Sequence, residues 1–210
     1  MLWGGHDSGA LELRKRASGA MALRGRFPYG KAAVLSDGGR KGRPRKEVIA
    51  PRAFAYRVNK PEEDIHLLVG HSYDRPLASK SAGTLSFTDT DEALIFDAEL
   101  TPEVQRTTWA QDFLAAFAAG LIMGLSPGFR IPPERAVEEA ERIEEEDPEE
   151  GMALIRTIFA ALLYEISLVT RPAYPETQIE ARNWTPSAGG VLLPGQPASS
   201  LGRSLSRWRA

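Results

Sequence analysis

The sequence predicts a mainly β domain, a meander or barrel with few helices, and three observations predict it. Residues 65–100 fall into short strand-like runs separated by turn residues: IHLLVGH, GTLSFTD and ALIFDAEL. In the last of these, Leu94, Phe96, Ala98 and Leu100 alternate with Ile95, Asp97 and Glu99, the period of a strand with one buried face. Further on, MALIRTIFAALLYEISLVT is rich in β-branched and large apolar residues, is long enough for two strands, and is closed by Pro172.

Taken in order, the first twenty residues mix Gly, Ser and Arg without periodicity and read as a flexible basic tail. MALRGRFPYG is a strand ended by Gly30, and SDGGRKGRPRK is a loop with too many turn residues to hold a regular element. IHLLVGH places His66 and His71 on one strand, His71 on the side of Ile65, Leu67 and Val69, with the polar loop SYDRP after it. Thr101, Pro102 and Glu103 make a helix start, with an N-cap, a proline at the first helical position and an acid in the first turn. Gly120 is its natural stop, and Trp109, Phe113 and Phe117 share the face that packs on the sheet. Leu121 to Phe129 is another extended apolar piece. Residues 133–146 are expected to form a second helix, mostly in water, on a thin stripe of Val137, Ala140 and Ile143, with EEEDPEE as a solvated loop after it. The long apolar run breaks near Ala160, and 184–210 reads as a flexible Gly/Pro/Ser-rich tail. The folded domain is therefore expected over residues 21–183.

At 210 residues, 42% hydrophobic and 26% charged, the chain suits one domain with trimmings rather than a disordered or fibrous protein. Its longest uncharged stretch, Phe113 to Phe129, is interrupted by Gly120, Gly124 and Pro127 and falls short of the roughly 20 residues that span a bilayer. The first twenty residues lack the apolar region of a signal peptide, and an intracellular location is expected. The absence of cysteine excludes disulfides, thiolate metal sites and a cysteine nucleophile. Charge is segregated. Residues 1–60 carry 14 Lys/Arg against 4 Asp/Glu, and 101–150 carry 4 against 12. No aromatic interleaving or nucleic-acid motif accompanies the basic part, so it reads as solvated loops and nucleic acid is not expected as a partner.

Chemistry has few candidates. There are three histidines, of which His6 lies in the tail and His66 and His71 share the strand IHLLVGH. His71, just before a polar loop, could be held by packing while its ring reaches a cleft; it could equally be structural. No G-x-S-x-G elbow of the α/β-hydrolase type occurs with its usual donor. The nearest approach is GLSPGF, where Ser126 precedes Pro127, which has no N–H to offer an oxyanion. Ser126 is either a nucleophile served by donors elsewhere or part of a turn. Glu165 is a lone carboxylate in IFAALLYEISLVT, and it either turns to solvent at a sheet edge or pairs with a group such as an imidazole. The glutamates of 134–150 hold no histidine and no metal-ligand spacing.

Five segments, RGRFPYGKAAVLSDGGR, KEVIAPRAF, LLVGHSYDRPLASKSAGTLSFTDTDEALIFDAEL, FAAGLIMGLSPGFR and LLYEISLVTRPAYPETQIEAR, together resemble the tailed-phage prohead maturation protease family. The resemblance covers residues 21–183. Its distinctive parts are the Gly-His pair followed by PLAS and AGTL, the serine turn, and the strand E-[IV]-SLV-T-x-PAYP. It implies the fold of the herpesvirus assemblin-like serine proteases, a small closed β-barrel of about six to seven strands ringed by helices. It further implies a serine endopeptidase with Ser126 as nucleophile, His71 as general base and Glu165 as the orienting third residue, where the herpesvirus enzymes have a second histidine. Asp74, near His71, is the alternative third residue. Arg171 resembles the arginine region that supports the oxyanion. No metal or cofactor is required. The implied substrates are the scaffold protein, the scaffold segment of the major capsid protein precursor, and the chain itself, inside the immature capsid in the host cytoplasm. Pro127 and the acidic stretch 134–150 depart from the family pattern.

Overall fold

The structure is a computed structural model that describes residues 11–15, 19–39, 42–122, 124–170, 184–186 and 192–194. The alternation in ALIFDAEL becomes strand β8 (Ala93–Leu100), with Leu94, Phe96, Ala98 and Leu100 all in the core. Two antiparallel neighbours flank it, β2 (Met21–Pro28) and β7 (Leu85–Asp89), and β2 pairs in turn with β1 (Leu11–Lys15). The part of the expected amino-terminal tail at Leu11–Lys15 is thus a strand, because Leu13 reaches the core once β2 supplies a partner for the backbone. A second sheet has the order β10, β11, β4, β3, made of Glu141–Glu145, Leu154–Ile158, Arg45–Ile49 and Ala32–Ser36. The third has the order β6, β5, β12, β9, made of Ser72–Ser79, His66–Val69, Leu162–Val169 and Gly124–Arg130. A two-stranded pair, β13 (Trp184–Pro186) and β14 (Leu192–Pro194), falls within the expected carboxy-terminal tail.

The mainly β class is observed. Closure into one barrel is not seen among the described residues, where the strands form separate sheets with free edges. What joins the sheets is packing. Phe27 of β2, Phe54 and Phe129 of β9 form a chain of ring contacts, 6.1 Å between the first two centroids and 5.8 Å between the last two. Edge-on and tilted rings at these separations are favourable geometries. Phe54 precedes the short helix α1 (Ala55–Asn59) and is fully buried, so it fastens β9 to the core.

The expected helix 101–120 is two helices, α2 (Pro102–Gln105) and α3 (Thr108–Ala118). Thr101 caps the first as expected. The second cap is Thr107, whose hydroxyl donates to Val104 O at 2.7 Å and accepts from Ala110 N, so one threonine closes α2 and starts α3. Phe113 is buried, with Trp109 and Phe117 packed against the core, and Trp109 Nε1 donates to Pro76 O of β6. The stop at Gly120 is a Schellman closure, with Leu121 N bonded to Ala116 O and Gly120 N to Phe117 O.

Residues 133–146 do not form the expected helix. They make turns and then β10, which pairs antiparallel with β11, and Arg156 Nε donates diagonally to Glu141 Oε2 at 2.6 Å. Ile143, assigned to an apolar stripe, is 64% exposed. A thin stripe buries too little to hold a helix, and β11 offers a full ladder of backbone partners. SYDRP is likewise part of a strand, β6. Proline is tolerated there because β6 is an edge, and Pro76 lies at a register shift opposite Leu68. The break near Ala160 is observed between β11 and β12.

Candidate active site

The third sheet builds the site. β12 is its centre, parallel to β5 and antiparallel to β9. On β12, Ile166 and Leu168 point into the core, which leaves Glu165 and Ser167 on the other face. Register sets Ser126 directly opposite Ser167 and Gly128 directly opposite Glu165. Directly paired residues project on the same side with Cβ atoms about 5 Å apart. Ser126, Gly128, Glu165 and Ser167 therefore share one face of the sheet, with Leu125 of β9 in the core behind it.

Glycine is needed at position 128. A Cβ there would lie 2.6 Å from the Glu165 carboxyl carbon, so the bare backbone of Gly128 is what lets that side chain fold across β9. Tyr164 is the extra residue of a bulge on β12, which separates Glu165 from the regular pairing of Leu163 with Phe129.

His71 arrives from a different element than expected. It is not on the strand with His66. Val69 pairs with Ser72, and Gly70 (φ 62°) and His71 (φ 59°) between them form a two-residue hairpin turn between β5 and β6. Such a turn needs positive φ at both central positions; glycine adopts it freely, and histidine is among the few other residues enriched there. The turn swings the imidazole over the sheet, where Nδ1 lies 2.7 Å from Glu165 Oε1. The His71 backbone N–H donates to Ser167 Oγ at 2.8 Å, and Ser167 Oγ donates to Glu165 Oε2 at 2.6 Å.

Burial and charge distinguish these groups. Glu165 is 4% exposed and Ser167 is fully buried, while about half of the His71 side chain is open and Ser126 is half-buried. An ionised carboxylate can only accept, so the contact puts the imidazole proton on Nδ1 and leaves the Nε2 lone pair as a base. The Ser126 hydroxyl makes no hydrogen bond among the described residues. Tyr73 lies nearby, its phenol pushed up by partial burial and by the negative charge of Glu165.

The other candidates separate from this cluster. His66 sits on β5 with Nδ1 3.4 Å from Asp64 Oδ2 and its ring edge-on to Tyr73. Asp74 is exposed on β6 and makes no hydrogen bond or ion pair with His71 among the described residues. His6 and Arg171 lie outside the described residues. Of the glutamates in 134–150, expected to be solvated throughout, Glu146 is instead buried against Lys46. Ser167 went unnoticed in the sequence, although it stands two residues beyond Glu165 in the same strand and so on the same face.

A family model described as caudovirus prohead serine protease matches residues 34–188, which include His71, Ser126 and Glu165. The chain belongs to that family. No curated protein and no solved structure matches it. Membership makes this a phage capsid maturation protease in general class, and the family's chemistry is serine peptidase chemistry. Within the prohead protease, the serine turn is strand β9, the Gly-His pair is the β5–β6 turn, and the E-[IV]-SLV segment is β12, three neighbouring parts of a single sheet.

Proposed function

We propose that this prohead protease is an active serine endopeptidase with Ser126 as nucleophile, His71 as general base and Glu165 as the carboxylate that orients it. The observation that carries the proposal is the 2.7 Å contact of His71 Nδ1 with Glu165 Oε1 on the face of the sheet that also bears Ser126. His71 Nε2 takes the Ser126 proton as Oγ attacks the scissile carbonyl carbon, and Glu165 stabilises the imidazolium that forms. The tetrahedral intermediate collapses as the imidazolium protonates the leaving amine. The acyl-enzyme is then attacked by water, which gives its proton to Nε2, and release of the acid restores Ser126. Pro127 cannot donate to the oxyanion, and the family resemblance supports the Arg171 region in that part.

The substrates are the scaffold protein or the scaffold segment of the major capsid protein precursor, and the chain itself, within the procapsid in the host cytoplasm. The family supports capsid or scaffold proteins as substrates, and no helix among the described residues is long and apolar enough to cross a membrane. The test is a fluorophosphonate, which phosphonylates an activated serine without regard to peptide sequence, alongside incubation with the capsid precursor. Wild type is expected to be labelled at Ser126 and to cut the precursor. Ser126→Ala is expected to fold and do neither, and a rate above about a thousandth of wild type overturns the assignment. A wild-type protein that binds the precursor and leaves it intact, with no label taken up, is a capsid-binding module instead.

A further inference from the structure

We infer that Ser167 is a positioning residue of this protease, holding both the ring and the backbone of His71 in place; the inference rests on the triad reading above. Three hydrogen bonds form a closed ring that starts and ends on His71. Its backbone N–H donates to Ser167 Oγ, Ser167 Oγ donates to Glu165 Oε2, and Glu165 Oε1 accepts from His71 Nδ1. The directions are fixed by chemistry. A backbone N–H can only donate, so Ser167 spends a lone pair on it and its single proton is left for the carboxylate.

The ring answers two needs of the site. A carboxylate torsion is broad, so Glu165 alone would present either oxygen at a range of angles. With Oε2 held by Ser167, Oε1 is turned to the imidazole. His71 also sits in the left-handed region, which a non-glycine residue keeps only where its surroundings insist on it. Ser167 gives the N–H of that turn a partner and ties it to β12. The same bonds exclude Ser167 as a rival nucleophile. It is fully buried and its proton is engaged with a carboxylate, whereas Ser126, opposite it on β9, is half-buried and makes no hydrogen bond among the described residues.

The variant is Ser167→Ala in the full chain, with fluorophosphonate labelling as the rate and the downfield proton spectrum as an independent readout. Labelling is expected to fall about 10- to 100-fold, the loss that follows when a reacting group is misplaced by about an ångström. The His71 Nδ1–H resonance is expected to move upfield or broaden. Thr and Val have the same shape and differ in the hydroxyl, so Ser167→Thr and Ser167→Val control for packing and serve in place of the alanine variant should it not fold. Threonine is expected to outperform valine by at least about tenfold. Equal rates for those two, or alanine within about threefold of wild type with an unmoved resonance, overturn the inference. Failure of the triad reading is distinct: there Ser126→Ala keeps its label whatever happens at Ser167.

Discussion

Glu165 on β12 and Glu146 just after β10 are buried in similar ways in two different sheets. Glu165 is 4% exposed and Glu146 7%. Each lies over a glycine whose Cβ, if present, would crowd the carboxylate, Gly128 in one case and Gly151 in the other. The partners differ. Glu146 is bonded to the Lys46 ammonium and accepts the Ala153 backbone N–H at 3.0 Å, a pairing saturated by a permanent cation. Glu165 faces an imidazole, whose charge depends on whether a proton has arrived, and a hydroxyl that steadies it. A buried carboxylate thus marks a need for a partner. The partner decides whether the result is a structural clasp or the contact that the proposed triad requires.

The sharpest break of the comparison comes from neutralising each carboxylate while keeping its shape. Glu165→Gln is expected to reduce fluorophosphonate labelling and precursor cleavage by roughly 10²- to 10⁴-fold, the range for loss of an orienting carboxylate. Asp74→Asn, on the exposed side of β6, is expected to stay within about threefold. Parallel rate measurements on the two variants check this, and a large loss in the Asp74 variant alone removes Glu165 from the triad.

The two glycines sharpen it further. Gly128→Ala drives a Cβ to 2.6 Å from the Glu165 carboxyl carbon with backbone on one side and the imidazole on the other, so labelling is expected to fall on the order of 10²-fold. Gly151→Ala places its Cβ 3.0 Å from the Glu146 carboxyl carbon, and the outcome there is a lower melting temperature with unchanged labelling. Labelling kinetics together with thermal melts separate the two results; loss of labelling in Gly151→Ala contradicts the division.

The smallest expected effect is a pH dependence. The Lys46 hydrogen bond and the Ala153 N–H hold the Glu146 carboxyl below the usual carboxylate range. A depressed folded-state value stabilises the fold above the unfolded value of about 4.3 and loses that contribution as pH falls through the folded value. Glu146→Gln is therefore expected to lower stability at pH 7 and to approach wild type near pH 3. Denaturant titrations at both pH values test it, and an equal gap at both removes the ion pair as the cause.

Much of this was legible because it depends on local pattern. The strict alternation in ALIFDAEL, the turn-bounded run GTLSFTD, the cap at Thr101 and the break near Ala160 each follow from residues adjacent in sequence, and each appears in the fold. Ser126, His71 and Glu165 were picked out by residue type and by motif resemblance. The helix expected over 133–146 failed for the opposite reason. Its glutamates satisfy a helix as readily as a strand, and the choice fell to β11, which lies at the other side of a turn and brings Arg156 to Glu141.

By itself, then, the sequence determined the mainly β class, the positions of β2, β5, β7, β8, β9, β11 and β12, and the chemically able residues, since backbone propensity and one-sided burial act over a few neighbouring positions. Only the tertiary structure decided what those residues do to one another. It turned His71 out of its strand through a positive-φ hairpin, set Ser126 beside Ser167 by antiparallel register, and left Gly128 bare beneath Glu165. Residues 71, 126 and 165 are remote along the chain, and the His71–Glu165 contact and the place of Ser126 on the same face depend on which strands pair and in what register. No local preference encodes that choice; burial of the shared core face of β5, β12 and β9 makes it, and the face that carries Ser126, Glu165 and Ser167 is what that burial leaves on the other side.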